Sequence, residues 1–170
     1  PCELTIGRGN IFDVGSERHD PKFPGDNSLL LFLFTRSDGK TALLYNYACH
    51  PTVTGPDNVM ITADFPYTVE RDLDFDLVMF INSNAGNIST RFTRTSSGFE
   101  QLEVFNKRIV SAILQALKSP FYQGSFDNIS MERFPILLPI KKVRSVQEEL
   151  FALEIYEAKL LQARKSNQDA

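Results

Sequence analysis

Apolar positions along this chain fall into runs and helical repeats divided by polar, turn-forming stretches. Residues 2–6 have the apolar and β-branched content of a short strand, and residues 9–28 are rich in Gly, Asp, Ser and Pro, a loop by composition. Residues 29–35 and 41–48 are unbroken apolar runs separated by Arg36-Ser37-Asp38-Gly39-Lys40. An Asp-Gly pair between two such runs predicts a hairpin. Unbroken rather than alternating apolarity predicts that both faces of the hairpin are covered, as in the middle of a sheet. Asp64 is placed to cap a short helix with Pro66 in its first turn, running to about Leu73. Residues 77–81 form another buried strand, which empties into the polar stretch 82–90.

A long helix follows. Ser97 and Glu100 have the spacing of a capping box, and Phe99, Leu102, Phe105, Ile109, Ile113 and Leu117 recur at helical intervals until Pro120 stops them. Residues 131–143 read as a strand that Pro135 and Pro139 push to a sheet edge. Ser145 and Glu148 repeat the capping-box spacing ahead of an amphipathic helix to about Lys165. The pattern predicts an α/β fold, a central mixed sheet flanked by helices, with strands feeding loops that precede helices.

Composition adds boundaries rather than chemistry. With 170 residues, 42% hydrophobic and 23% charged, the chain fits one globular domain with a real core. A net charge of −3 excludes a global field that would draw nucleic acid or an anionic membrane. The one basic cluster, Lys141, Lys142 and Arg144, reads as a solvated strand end. No run approaches the ~20 apolar residues of a membrane span. Two separated cysteines, Cys2 and Cys49, make no disulfide framework and favour a reduced compartment. The chain opens on Pro-Cys-Glu without Met and enters a strand at once, which reads as a piece cut from a longer one.

In α/β sheets ligands gather beyond the carboxyl ends of strands, and two such ends carry reactive residue types. One is Tyr47-Ala48-Cys49-His50-Pro51-Thr52, the other the stretch from Asn82 to Thr90. His50 can end a strand with a loop hydrogen bond, or ligate a metal through neutral imidazole. A catalytic zinc takes about three protein ligands plus water, so His50 alone cannot hold one. His19, in the Gly/Asp-rich loop, reads as a surface residue. In the second stretch, Gly86 allows the chain to fold back, and successive N–H groups can form an anion-binding concavity beside Ser89. Asn84, Gly86 and Asn87 are its candidate oxyanion groups; the alternative is a plain polar turn. Arg18 can clamp a carbonyl oxygen or a carboxylate, or stay a solvated loop residue. Asn87-Ile88-Ser89 and Asn128-Ile129-Ser130 match the glycosylation acceptor pattern, a match frequent by chance.

Taken in order, Asn46-Tyr47-Ala48-Cys49-His50-Pro51-Thr52, Asp57-Asn58, Ile61-Thr62-Ala63-Asp64-Phe65-Pro66 and Phe80-Ile81-Asn82-Ser83-Asn84-Ala85-Gly86-Asn87-Ile88-Ser89 resemble the neutral/alkaline, non-lysosomal ceramidase family. That family has a strand ending in Ala-x-His, then an Asn and an Ile-Ser-x-Asp stretch, then Asn-Ala-Gly-Asn/Asp-x-Ser-Pro. The resemblance covers most of residues 3–140. It implies that His50 is one of two zinc-binding histidines, that Ser89 is the active-site serine, and that Arg18 lies near the reacting amide. It implies hydrolysis of an N-acyl bond in a small-molecule or lipid-like substrate. Zinc-bound hydroxide and Ser89 both remain open as the nucleophile.

The departures are as specific as the match. The upstream histidine and the downstream glutamate and tyrosine ligands of the family have no counterpart here, so Zn2+ would need ligands outside this chain. Thr90 and Arg91 stand where the family has Pro and Asn. Residues 1–170 are therefore expected to form part of a ceramidase-like catalytic domain, inactive alone. Two alternatives stand beside this: a non-catalytic ceramidase-like binding or scaffold protein, and a metal-free serine hydrolase using Ser89 and His50. The latter lacks the Gly-x-Ser-x-Gly elbow.

Overall fold

The computed structural model describes residues 2–23, 25–126, 130–140 and 143–166. Residues 1–129 and 130–170 form two compact units. The first holds the strands β1 (Cys2–Asn10), β2 (Ser16–Glu17), β3 (Ser28–Arg36), β4 (Thr41–Tyr47), β5 (Leu77–Asn82), β6 (Ile88–Ser89) and β7 (Tyr122–Ser125). Its helices are α1 (Phe65–Asp72) and α2 (Phe99–Lys118), and a single 3-10 turn spans Ala85–Asn87. The second unit holds α3 (Val146–Ser166).

Five strands form one sheet in the order β5-β4-β3-β1-β7, and β2 pairs with β6 in a separate two-stranded ribbon. The large sheet is mixed: β4 and β5 run parallel, and the other neighbours are antiparallel. The β3–β4 hairpin turns where the pattern predicts, and Gly39 takes the positive φ of 85° that its turn requires. Helix α1 begins after its Asp64 cap with Pro66 in the first turn.

Register decides which side chains become core. Leu29, Leu31, Leu43, Tyr45, Tyr47 and Val78 lie on one face and are buried under α1 and α2. From α2 the residues Leu102, Phe105, Ile109 and Ile113 complete that layer. Phe80 joins the sheet to α1 through edge contact with Phe65, ring centroids 5.5 Å apart. At β1 the face is cut down to backbone: a Cβ on Gly7 would sit 3.0 Å from the Ala116 carbonyl oxygen, so glycine there lets α2 approach the strand.

Several elements differ from expectation. Among the described residues of this unit helices cover only one face; on the other, Leu30, Phe32 and Leu44 are half-buried and Leu77, Met79 and Ile81 exposed. Long neighbouring side chains shield one another across the strands there, so an unbroken apolar run does not mark two covered faces. Strand β1 reaches Asn10, past the glycines that end its apolar pattern, because pairing with β3 carries it on. The Ser97–Glu100 capping box does not form. Gly98 is the N-cap, and the Gln101 side chain accepts from the Thr95 amide and hydroxyl instead. Strand β7 has no apolar alternation to announce it.

In the second unit the expected strand over 131–143 is absent across the described residues 131–140, where two prolines remove ladder donors. The expected capping box at α3 is formed: Ser145 donates its amide and hydroxyl to Glu148, whose amide returns a bond to the Ser145 hydroxyl. Apolar residues lie around most of that helix rather than along one stripe. Leu150, Phe151, Leu153, Ile155, Tyr156 and Leu161 are all exposed. Arg144 lies 3.8 Å from Glu149, while Lys141 and Lys142, like Asn128 and Ile129 of the second acceptor pattern, lie outside the described residues.

Filling the space at Gly7 should be costly. Gly7→Val is expected to lower stability by about 1–3 kcal/mol through overpacking against α2, read from a denaturant midpoint. An unchanged midpoint would show that the helix does not rest on this strand.

Candidate functional site

The site is assembled by backbone pairing between very short segments. Past the end of β4 the chain runs through buried Ala48 and Cys49 to His50. Past the end of β5 the Ser83 amide donates to the Tyr47 carbonyl at 3.2 Å, and the Cys49 amide to Asn82 Oδ1 at 3.4 Å. These bonds keep the two strand ends together. After the 3-10 turn, the His50 amide donates to the Ile88 carbonyl at 3.1 Å, making a parallel bridge between His50 and Ser89. On the other side β2 pairs antiparallel with β6, Ser16 opposite Ser89 and Glu17 opposite Ile88. The pairing runs on as the Arg18 amide donates to the Asn87 carbonyl at 2.8 Å. Ser89 thus lies between the segment carrying Arg18 and the segment carrying His50.

Three local devices hold this arrangement. The Gly15 amide donates to the Tyr47 hydroxyl at 2.8 Å, and a Cβ on Gly15 would lie 2.6 Å from that oxygen and 2.8 Å from Ile88. Only glycine lets the Arg18 loop come so near β4. The buried Asp64 carboxylate accepts from the Val53 and Thr54 amides and the Thr54 hydroxyl through Oδ2, and from the Phe65 amide through Oδ1. It does so at φ 59°, a strained conformation for a residue with a side chain. Asp64 therefore ties the segment after His50 to the start of α1. The Glu17 carboxylate accepts from the Asp20 and His19 amides, and Nδ1 of His19 lies 2.8 Å away. The amide of Asp20, first, and the ring of His19, next, hold that carboxyl below its ordinary range.

Arg18, His19, His50, Thr52, Ser89, Arg91 and Arg94 line one open concavity of about 430 Å³. Ser89 itself is buried, and its Oγ accepts the Arg91 amide at 3.3 Å. That leaves the hydroxyl proton free to be donated elsewhere. Thr90, where the resembling family has Pro, is fully buried, and its hydroxyl donates to the Thr52 carbonyl at 3.4 Å. The Arg94 guanidinium donates to the carbonyls of Thr52 and Val53, which fixes it against the His50 segment. Arg18 and Arg91 pair with no acid among the described residues, and Arg91 stacks on Phe92 with its guanidinium carbon 5.3 Å from the ring centroid. Among the described residues no carboxylate lines the concavity.

The structure therefore brings Arg18, His50 and Ser89 together. Asn84, Gly86 and Asn87 are exposed and do not line the concavity. Asn84 accepts a bond from the Ser83 hydroxyl, and the Ala85 and Ile88 amides are engaged within the turn. Gly86 has neither a positive φ nor any atom near a notional Cβ, so the fold-back there does not depend on glycine. His19 is exposed, as expected, yet it lines the concavity. Arg94 and Thr52 carried no expectation, and Arg91 appeared only as a departure from the family pattern. A signal existed: residues 77–99 contain two arginines and no acid.

Zinc, which the resemblance implies, fits these residues poorly. Among the described residues no three His, Cys, Asp or Glu side chains are grouped to hold a metal. His50 shares its pocket with three guanidiniums, which oppose a dication. Cys49 does not help, since burial first and the nearby Asp64 charge second push its thiol up to about 12 and keep it protonated. The described residues do not make a zinc site.

The fold is ceramidase-like. A solved ceramidase complexed with C2 superposes at a TM-score of 0.61, with 15% identity over 72% of this chain and 23% of that one. The crystal structure of neutral ceramidase from Pseudomonas aeruginosa gives 0.58, with 17% identity over 72% of this chain and 24% of that one. The chain spans about a quarter of the length of those structures. Neither a family model nor a curated protein matches it.

Removing the Asp64 carboxylate should release the His50 segment. Asp64→Ala keeps the strained backbone and deletes four accepted bonds, so a loss of about 2–3 kcal/mol is expected in urea unfolding. A loss below about 0.5 kcal/mol, the scale of an ordinary surface change, would remove Asp64 from the support of the site.

Proposed function

We propose that residues 1–170 contribute part of a ceramidase-type catalytic domain that hydrolyses an N-acyl amide bond in a small-molecule or lipid-like substrate. One observation carries the reading: Arg18, His50 and Ser89 meet in a single open concavity, on neighbouring backbone segments of a ceramidase-like fold.

Amide hydrolysis needs a nucleophile relieved of its proton and donors aimed at the oxyanion that develops on the carbonyl. In this reading the Arg18 guanidinium stands opposite the oxyanion and supplies positive charge to it. His50 takes the proton of the attacking hydroxyl, whether that belongs to water or to Ser89. The Arg91 amide holds a lone pair of Ser89 Oγ and so orients the hydroxyl proton outward. No step is routed through zinc.

A second reading has its own support: among the described residues the same concavity is lined by two histidines, three arginines and no acid, a composition suited to holding a ligand without cutting it. In that reading the chain is a non-catalytic ceramidase-like binding protein.

Fatty-acid release from N-acyl amides by the full-length protein separates the two. The hydrolase reading expects turnover, and expects Ser89→Ala and His50→Ala each to lower kcat by about 10²-fold or more. No release from any N-acyl substrate by the folded full-length protein would leave only the binding reading.

A further inference from the structure

The concavity at Ser89 departs in charge from the molecule that carries it. The chain as a whole is acidic, at −3, yet the lining holds Arg18, Arg91 and Arg94 beside two imidazoles and two hydroxyls. Surface arginines commonly find a carboxylate, as Arg71 does with Asp72 and Glu103 elsewhere on this unit. Here the nearest acid along the chain, Glu17, is occupied by the Asp20 and His19 amides and the His19 ring. Arg18 and Arg91 are left with guanidinium forks that no described acid answers.

From this arrangement we propose that the concavity is an oxyanion-binding site, taking the carboxylate or phosphate group of a ligand between Arg18 and Arg91. A guanidinium presents parallel N–H donors that match two oxygens of either group, and bonds of this kind are about twice as strong as neutral ones. Arg94, tethered to the Thr52 and Val53 carbonyls, adds fixed positive charge to the same lining. The Ser89 hydroxyl, whose oxygen accepts the Arg91 amide, supplies a neutral donor in the lining, while the Thr52 hydroxyl donates to the His50 carbonyl at 3.4 Å. Arg91 comes from the same turn that carries Ser89, and Arg18 follows β2, which pairs with it. The backbone on which the two arginines are carried is therefore held by strand pairing. The site does not depend on the hydrolase reading.

Titration of the full chain with inorganic phosphate and, separately, with octanoate tests the proposal, with neutral octanamide as control. Neither anion contains an amide bond, so binding is read without turnover, and a failure of hydrolysis leaves the result standing. The proposal expects saturable binding in at least one arm, weakened by added salt and absent for octanamide. The arm that binds identifies the oxyanion. Arg91→Gln and Arg18→Gln are each expected to weaken that binding by about tenfold or more. Arg91 makes no side-chain hydrogen bond among the described residues, so its variant should keep the wild-type unfolding midpoint and serve as the control for folding. No saturable binding in either arm, equal binding of octanamide, or affinities unchanged in both variants would overturn it.

Discussion

The site depends on one short piece of backbone, Ile88–Ser89, paired on both sides. Two-residue strands cannot hold themselves together, because each hydrogen bond adds only about 0.5–1.5 kcal/mol net and ordering a residue costs about as much. What fixes this one is the apolar anchoring beside each pairing: Ile88 is 1% exposed, Val14 and Cys49 are fully buried, and Ile11 seals the loop before β2. The core thus holds three segments from distant parts of the chain against one another. The side chains that line the concavity project from segments whose neighbours are already packed. Gly15 and Asp64 are the two places where that arrangement admits almost no substitution, one by space and one by bonds.

Most of the scaffold is legible in the amino-acid sequence. The runs that become β3, β4 and β5, the Asp-Gly hairpin, the Asp64 cap and the periodicity of α2 are local signals, and local signals survive folding. What could not be read is non-local. β1 continues through Gly7 and Gly9 because β3 lies beside it, and β7 exists because β1 offers an edge. Neither fact is written in the residues that take part. The Ser97–Glu100 spacing failed for the opposite reason, since a better local partner, Gln101, met Thr95 first.

The same division holds at the site. His50 and Ser89 could be singled out because strand ends followed by polar residues are legible, and the family resemblance pointed to Arg18. Their meeting point was not, and neither was the company they keep. Arg94 reaches the concavity only because the turn after Ser89 folds back toward Thr52, with the Arg94 amide donating to the Thr90 carbonyl at 3.1 Å. Asn84, Gly86 and Asn87 fail to reach it because the 3-10 turn points them to solvent. Global charge was a poor guide here, because a local field is set by the few groups that line a pocket. Three arginines line that pocket beside two histidines, on a chain whose net charge is −3.

Nuclear Overhauser contacts in the labelled full chain test the central arrangement most directly. Backbone contacts from Ser89 to both His50 and Ser16, with slow exchange of the His50 and Arg18 amides, are the predicted result. Ser89 lacking contact to either partner, with those two amides exchanging as freely as an open loop, would contradict the account.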